Sequence, residues 1–307
     1  MMLLACMPIS SIATSPAIDL SRLPPPVIVP QTDFETRYTA KRAQLLALFP
    51  PFDALVESDP VIKLLQADAF DEQVLSQAFN DAARQLLIAF ATGSSLDHLA
   101  ALYAVERLVI TPANPVTGVA AVLETDDDLR QRVLLAPHSF SVAGPEMAYV
   151  YHAKSASGDV LDASATSPQP GEVVVSVLSR TGDGTAPPAT LAAVEAVLTD
   201  DQVRPLTDMV TVQSADVQPF DVVAGLWLYA GPDAELIRST ALASLNAYLA
   251  GSRRLGRDIP LSALVASLHV AGVQRVELVS PIADQVFTAL QSGHCASIDV
   301  TIAGTWD

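Results

Sequence analysis

Apolar positions follow a helical rhythm early in the chain and an alternating one later. From Thr32 the pattern turns helical, with Phe34, Tyr38, Leu45, Leu46 and Phe49 near helical spacing, until "FPPF" (49–52) stops it. The strongest element follows. Asp59 is placed to cap it and Pro60 to open it. Val61, Leu64, Leu65, Val74, Leu75, Phe79, Leu86 and Phe90 keep the period up to a stop at Gly93. Large residues stand on more than one side of this helix. The short helices expected near 33–48 and 95–107 offer too little cover for them, so another chain is expected on the open side.

"GSSLDHLAALYAVERL" (93–108) holds Ser94, Asp97 and His98, the residue types of a hydrolase triad. Ser94 stands three residues before Asp97, the spacing of a capping box ahead of the apolar stripe Leu96, Leu99 and Tyr103. Neighbours on a helix diverge by about 100°, so Asp97 cannot orient the His98 imidazole. The stretch is expected to be a helix–stop–cap–helix corner. "TDDDLRQRVLLA" repeats the device, with Thr125 capping over Asp128 and Pro137 ending the helix; Asp126, Asp127 and Asp128 lack the alternating ligands and glycine turn of a calcium loop. Residues 143–158 predict a further helix opened by Gly144 and Pro145, in which His152 has no second metal ligand one turn on.

After Gly158 the texture changes. "DVLDASATS" and "EVVVSVLS" (172–179) predict a hairpin. "RTGDGTAPP" (180–188) is glycine-rich but lacks the Lys-Ser/Thr ending of a phosphate loop; it predicts a strand-to-helix turn, with Pro187 and Pro188 opening "ATLAAVEAVL". Strands follow at 208–216 and 219–230, then a helix stopped by Gly251, a shorter helix at 260–270, and strands at 272–280 and 295–304. Arg253, Arg254 and Arg257 close the longer helix, either complementing its dipole or meeting an acidic neighbour. His294 and Cys295 are adjacent in a strand and point to opposite faces, so they form no thiolate–imidazolium couple. The elements predict an α+β fold: a helical N-terminal half followed by mixed α/β modules with small, partly antiparallel sheets. The expected division is an extended proline-containing arm over 1–32, a helical bundle-forming domain over 33–117, a middle α+β domain over 118–205 and a C-terminal α+β domain over 206–307.

Composition narrows the function classes. The net charge is −17 and only Lys41, Lys63 and Lys154 are lysines, so phosphate backbones are repelled and no nucleic-acid partner is expected. No apolar run reaches membrane-spanning length. Cys6 and Cys295 lie near opposite ends and fit neither a disulfide framework nor a metal site; both are expected as free thiols. "MMLLAC" looks like a lipidation box, but no positive charge or apolar stretch precedes Cys6, and a start at Met7 is the simpler expectation. No catalytic, cofactor-binding or metal-binding residue is assigned. A soluble hydrolase using a carboxylate pair and an intracellular adaptor remain the alternative readings.

"IDLSRLPPPVIVP", "ATGSSLDHLAALYAVERL", "ETDDDLRQRVLLA", "SVAGPEMAYVYHAKSA", "VLSRTGDGTAPP" and "RLGRDIPLSALVASLHVAGVQRVELVSP" occur in this order. Together they resemble the baseplate assembly protein J family, wedge proteins of contractile-tailed phages and phage-tail-like particles. The likeness runs from about Ile18 to Gly304 and leaves residues 1–17 outside. It implies a structural role without catalytic residues or cofactors. The implied partners are a second baseplate wedge protein sharing a helical bundle with the N-terminal helices, a lysozyme-like wedge protein, and neighbouring copies in a sixfold ring around hub and spike. The implied location is the baseplate of a virion or tail-like particle, assembled in the bacterial host cytoplasm.

Overall fold

The computed structural model describes residues 23–53, 56–141, 144–231 and 233–306. The expectations for Cys6, for the start at Met7 and for the first part of the arm lie outside them. The chain forms two compact units that divide between Glu106 and Arg107.

In the N-terminal unit, α1 (Phe34–Leu48) starts where the Asp33 side chain accepts from the Thr36 amide at 2.9 Å. Helix α2 (Pro60–Arg84) starts at the predicted cap: Asp59 accepts from the Val61 amide at 2.8 Å and Pro60 takes the first position. The two helices meet through charge. Arg37 reaches Glu72 at 2.5 Å and Ser76 Oγ at 3.0 Å, while Lys41 reaches Asp68 at 2.6 Å and Glu72 at 2.8 Å. The proline-rich segment before α1 is held by Asn80, whose side chain accepts from the amides of Ile28 (2.9 Å) and Val29 (3.0 Å) and donates to the Val29 carbonyl (2.9 Å).

Three local expectations are corrected here. Helix α2 ends at Arg84, not Phe90: tight turns follow, with the amides of Leu86 and Leu87 bonding to Ala83 and Arg84, and they bury Ala91. Helix α3 spans Gly93–Ala101 with Thr92, not Ser94, as its N-cap, and the Thr92 side chain makes no capping bond. Gly93 at φ +54° lets the chain swing into the helix one residue ahead of Ser94, and Gln85 Oε1 accepts from the Thr92 amide at 3.0 Å. At its other end α3 stops short of 107, because Ala104 takes φ +56°.

The second unit opens with the hairpin β1 (Val109–Thr111) and β2 (Val122–Leu123). Helix α4 (Asp126–Leu135) is capped as predicted, the Thr125 side chain accepting from the Asp128 amide at 3.2 Å; it runs into a 3-10 turn, Ala136–Phe140. After α5 (Glu146–Ala156) come β3 (Val160–Thr166), β4 (Glu172–Ser179), α6 (Pro188–Leu198) and β5 (Met209–Ser214). The sheet order is β3-β4-β5, antiparallel then parallel. Central β4 reads "EVVVSVLS" and is buried nearly throughout, as a strand covered on both faces requires. Its valines pack with Tyr149 and Ala153 of α5 and Val194 and Leu198 of α6.

A second layered module follows: β6 (Asp216–Tyr229), α7 (Ala234–Ser252), α8 (Leu261–Leu268), β7 (Val273–Ser280) and β8 (Gln291–Trp306), with sheet order β7-β6-β8. On β6, alternate residues Phe220, Val222, Ala224, Leu226 and Leu228 turn inward. They meet Ile237, Ala241 and Leu245 of α7 and Leu264 and Leu268 of α8, one helix turn apart. Gly251 is not the stop expected of it; α7 passes through it to Ser252. Buried polar groups tie the two modules together. Asp162 on β3 accepts from the Leu255 amide at 3.1 Å and lies 3.5 Å from Lys154 Nζ, and Ser164 Oγ donates to the Ala289 carbonyl at 2.7 Å. The whole is the α+β arrangement expected, with small, partly antiparallel sheets.

Candidate interaction surfaces

The residues that suggested chemistry are placed structurally. Asp97 and His98 are exposed on α3, and His98 lies in its last turn. Each of the three successive aspartates meets an arginine: Asp126 with Arg107 at 2.7 Å, Asp127 with Arg130 at 2.6 Å and Asp128 with Arg180 at 2.8 Å. His152 is half-buried, edge-on to Tyr151, and burial pushes its imidazole below the usual value. Burial likewise pushes the Cys295 thiol up, away from thiolate, and its Sγ donates to the Ser297 carbonyl at 3.2 Å. His294 shares with it a shallow cavity of about 230 Å³.

The glycine-rich turn after β4 also serves the fold. Arg253 donates to the carbonyls of Gly182 (2.8 Å) and Arg180 (3.2 Å). A loop that aims carbonyl oxygens at a guanidinium is the electrostatic opposite of one that cradles phosphate with N–H groups. Both readings of the arginine cluster find support within the chain, since Asp183 acts electrostatically on Arg253. Arg253 takes backbone carbonyls, Arg254 takes Gln131 Oε1 at 2.9 Å, and Arg257 takes the Gly251 carbonyl at 3.3 Å, at the end of α7.

What the N-terminal unit presents is a surface. Ile62, Ala69, Ser76 and Asn80 are the buried residues of α2. At about 100° per residue they fall within a sector of roughly 40°. Leu64, Phe70, Val74, Leu75 and Phe79 occupy the opposite half-turn, each more than half exposed. Apart from Ile62, the helix thus packs inward through small and polar groups, and it turns most of its large apolar residues out. Beside this face runs a groove of about 470 Å³, lined by Gln31, Arg37, Phe70, Val74 and Asp81 among others. Sequence periodicity signals too much apolar surface for one face. It does not tell which half is buried, because the inward choice depends on Arg37, Lys41 and the Val29 backbone, all distant in sequence.

A second surface escapes the sequence reading. The hairpin β1–β2 is exposed along its length beyond Ile110, with Val116 at 92%. Its foot is clamped by Glu124 and Arg132, a buried two-point pair with both oxygen–nitrogen distances at 2.7 Å.

The sequence matches the Baseplate J-like N-terminal domain over residues 57–114, the Baseplate J-like central domain over 141–214 and the Baseplate J-like protein C-terminal domain over 220–301. It is 44% identical over 299 residues to Baseplate protein J of Escherichia phage P2, spanning 94% of this chain and 99% of that protein. A weaker likeness, with TM-score 0.38 and 16% identity, is to a chain in the 6-fold symmetrised cryo-EM structure of the anti-feeding prophage baseplate; it covers 60% of this chain and 47% of that one, about half of its length. With three domain matches in chain order and a relative aligned almost end to end, the chain belongs to the Baseplate J-like family.

Proposed function

We propose that this chain is a structural wedge component of a contractile-tail baseplate, located in the virion or tail-like particle and assembled in the host cytoplasm. It acts by binding, without catalysis. The observation that carries the reading is the sidedness of α2. A helix that buries Ser76 and Asn80 and exposes Phe70 and Phe79 is built to be covered from outside. A second wedge protein, packed on that face as part of a shared helical bundle, is the occupant the reading assigns. Neighbouring copies in a sixfold ring and a lysozyme-like wedge protein complete the set of partners. The division into arm, bundle-forming, middle and C-terminal domains belongs to the same proposal: the N-terminal helices bind the wedge partner, and the α+β modules face the neighbours.

The test is Phe70→Asp with Phe79→Asp in the full chain, expressed with the other tail proteins. Both side chains already face solvent, so the variant should melt like the native chain. Tails should form without closed baseplates, and the second wedge protein should no longer co-purify. Normal particles at native yield would reject the assignment.

A further inference from the structure

Residues 108–123, "LVITPANPVTGVAAVL", contain no charged residue, in a chain of net charge −17. They form the β1–β2 hairpin and its tip, and from Thr111 to Leu123 every residue is exposed. Val116, Val119, Val122 and Leu123 lie among them, so neither face is turned to a core of its own. A two-stranded hairpin this small is marginal in water by itself, yet its geometry is defined at both ends. At the tip, Asn114 Oδ1 accepts from the amides of Val116 (2.9 Å) and Thr117 (3.2 Å), the Asn114 amide donates to the Val119 carbonyl (2.9 Å), and Gly118 takes φ +72°. At the foot, the Glu124 amide donates to the Leu108 carbonyl at 2.9 Å, Glu124 Oε2 accepts from the Leu108 amide at 3.1 Å, and Arg132 holds the same carboxylate. Gly158 seats the strand closely: a side chain there would meet the Val109 carbonyl oxygen at 2.5 Å. An apolar, neutral, pre-ordered projection binds with little ordering cost.

A seat for it exists on the same chain. Strand β8 lies at the edge of its sheet, with β6 as its partner, and its last stretch, "VTIAGTW" (300–306), is also free of charge. Thr301, Ile302, Ala303 and Thr305 are exposed there. Two copies of so acidic a chain repel wherever their charged surfaces face each other. The uncharged hairpin and the stretch of β8 between Asp299 and Asp307 are where they can approach with less of that penalty, and an edge strand accepts an added strand. We infer that the hairpin of one copy packs against the free edge of β8 on the next, a head-to-tail contact of the kind that closes rings. This deepens the baseplate reading and rests on it.

The test uses tail particles assembled in the host with a chain carrying Cys6→Ser and Cys295→Ser. Thr117→Cys and Thr301→Cys are introduced together or singly, and a short bis-maleimide is added to purified particles. Cross-linked multimers from the double variant, and none from either single one, are expected. Particles that contain the chain but yield no multimers would overturn the contact while leaving the baseplate reading intact. Multimers from Thr117→Cys alone would overturn the β8 seat, since hairpin would then meet hairpin. If the chain is absent from particles, the reading and the contact both fall. In parallel, Val116→Asp with Val119→Asp should block ring closure without lowering the melting temperature of the isolated chain; rings at native yield would overturn the inference.

Discussion

Arg132 and Glu124 face each other in a two-point ion pair, Nε to Oε1 and Nη2 to Oε2 both at 2.7 Å, with side chains only 4% and 3% exposed. The pair joins α4 to the end of β2, and Arg132 extends it to Ser155 Oγ of α5 at 3.2 Å. Removing one partner strands the other charge out of water. Glu124→Ala is therefore expected to destabilise the chain by about 3–5 kcal/mol. Replacing both residues with apolar ones of similar volume should restore much of that loss. Urea melts of the two variants decide it; a Glu124→Ala loss below about 1 kcal/mol would show that the carboxylate is not needed for the fold.

Two glycines make an opposite-signed pair. At Gly158 a methyl group would meet the Val109 carbonyl oxygen at 2.5 Å and Ile110 Cα at 3.0 Å, both backbone atoms that cannot rotate away. Gly158→Ala should cost about 1–3 kcal/mol. Gly251 lies inside α7 with open space around it. Gly251→Ala should stabilise by about 0.5–1 kcal/mol. Thermal melting with the same sign for both would contradict these geometries.

Helix caps give a sharper contrast. Thr125 caps α4, so Thr125→Ala should cost about 1 kcal/mol. Ser94 is an exposed residue inside the first turn of α3. Ser94→Ala should then stay within about 0.5 kcal/mol of native. A larger loss at Ser94 than at Thr125 in denaturant melts would place the α3 cap at Ser94 after all.

His152 predicts a pH dependence. Burial lowers its folded pKa below the unfolded value, so through that window the folded state binds fewer protons. Its contribution is complete above the unfolded value of about 6.5 and is lost as pH falls through the depressed folded value. Native stability should therefore drop more steeply than that of His152→Phe over that acid range. Parallel slopes in pH-dependent melts would remove the imidazole from the account.

The charge balance predicts that the purified chain leaves DNA mobility unchanged at moderate salt, since it offers phosphates no basic stripe. Retardation that weakens as salt rises would overturn that expectation.

How much of this was legible in the sequence differs by range. Asp59 with Pro60 and Thr125 with Asp128 mark helix starts because a cap is a bond between residues two or three apart. The alternation on β6 and the turn to α7 and α8 are local as well, and so the α+β class follows from the pattern. The ordered blocks from Ile18 to Gly304 carry the family likeness by the same token. Tertiary structure alone decided the rest. The start of α3 depends on Gln85 holding Thr92, and the end of α2 on burying Ala91. Arg253 finds its carbonyl seat more than 70 residues away. Periodicity exposed the excess apolar surface on α2, but its inward side was settled by Arg37, Lys41 and the extended backbone at Ile28 and Val29. The Glu124–Arg132 clamp and the exposed hairpin above it were invisible for a related reason. Burial is a property of what surrounds a residue in space, and a single sequence records only what surrounds it along the chain.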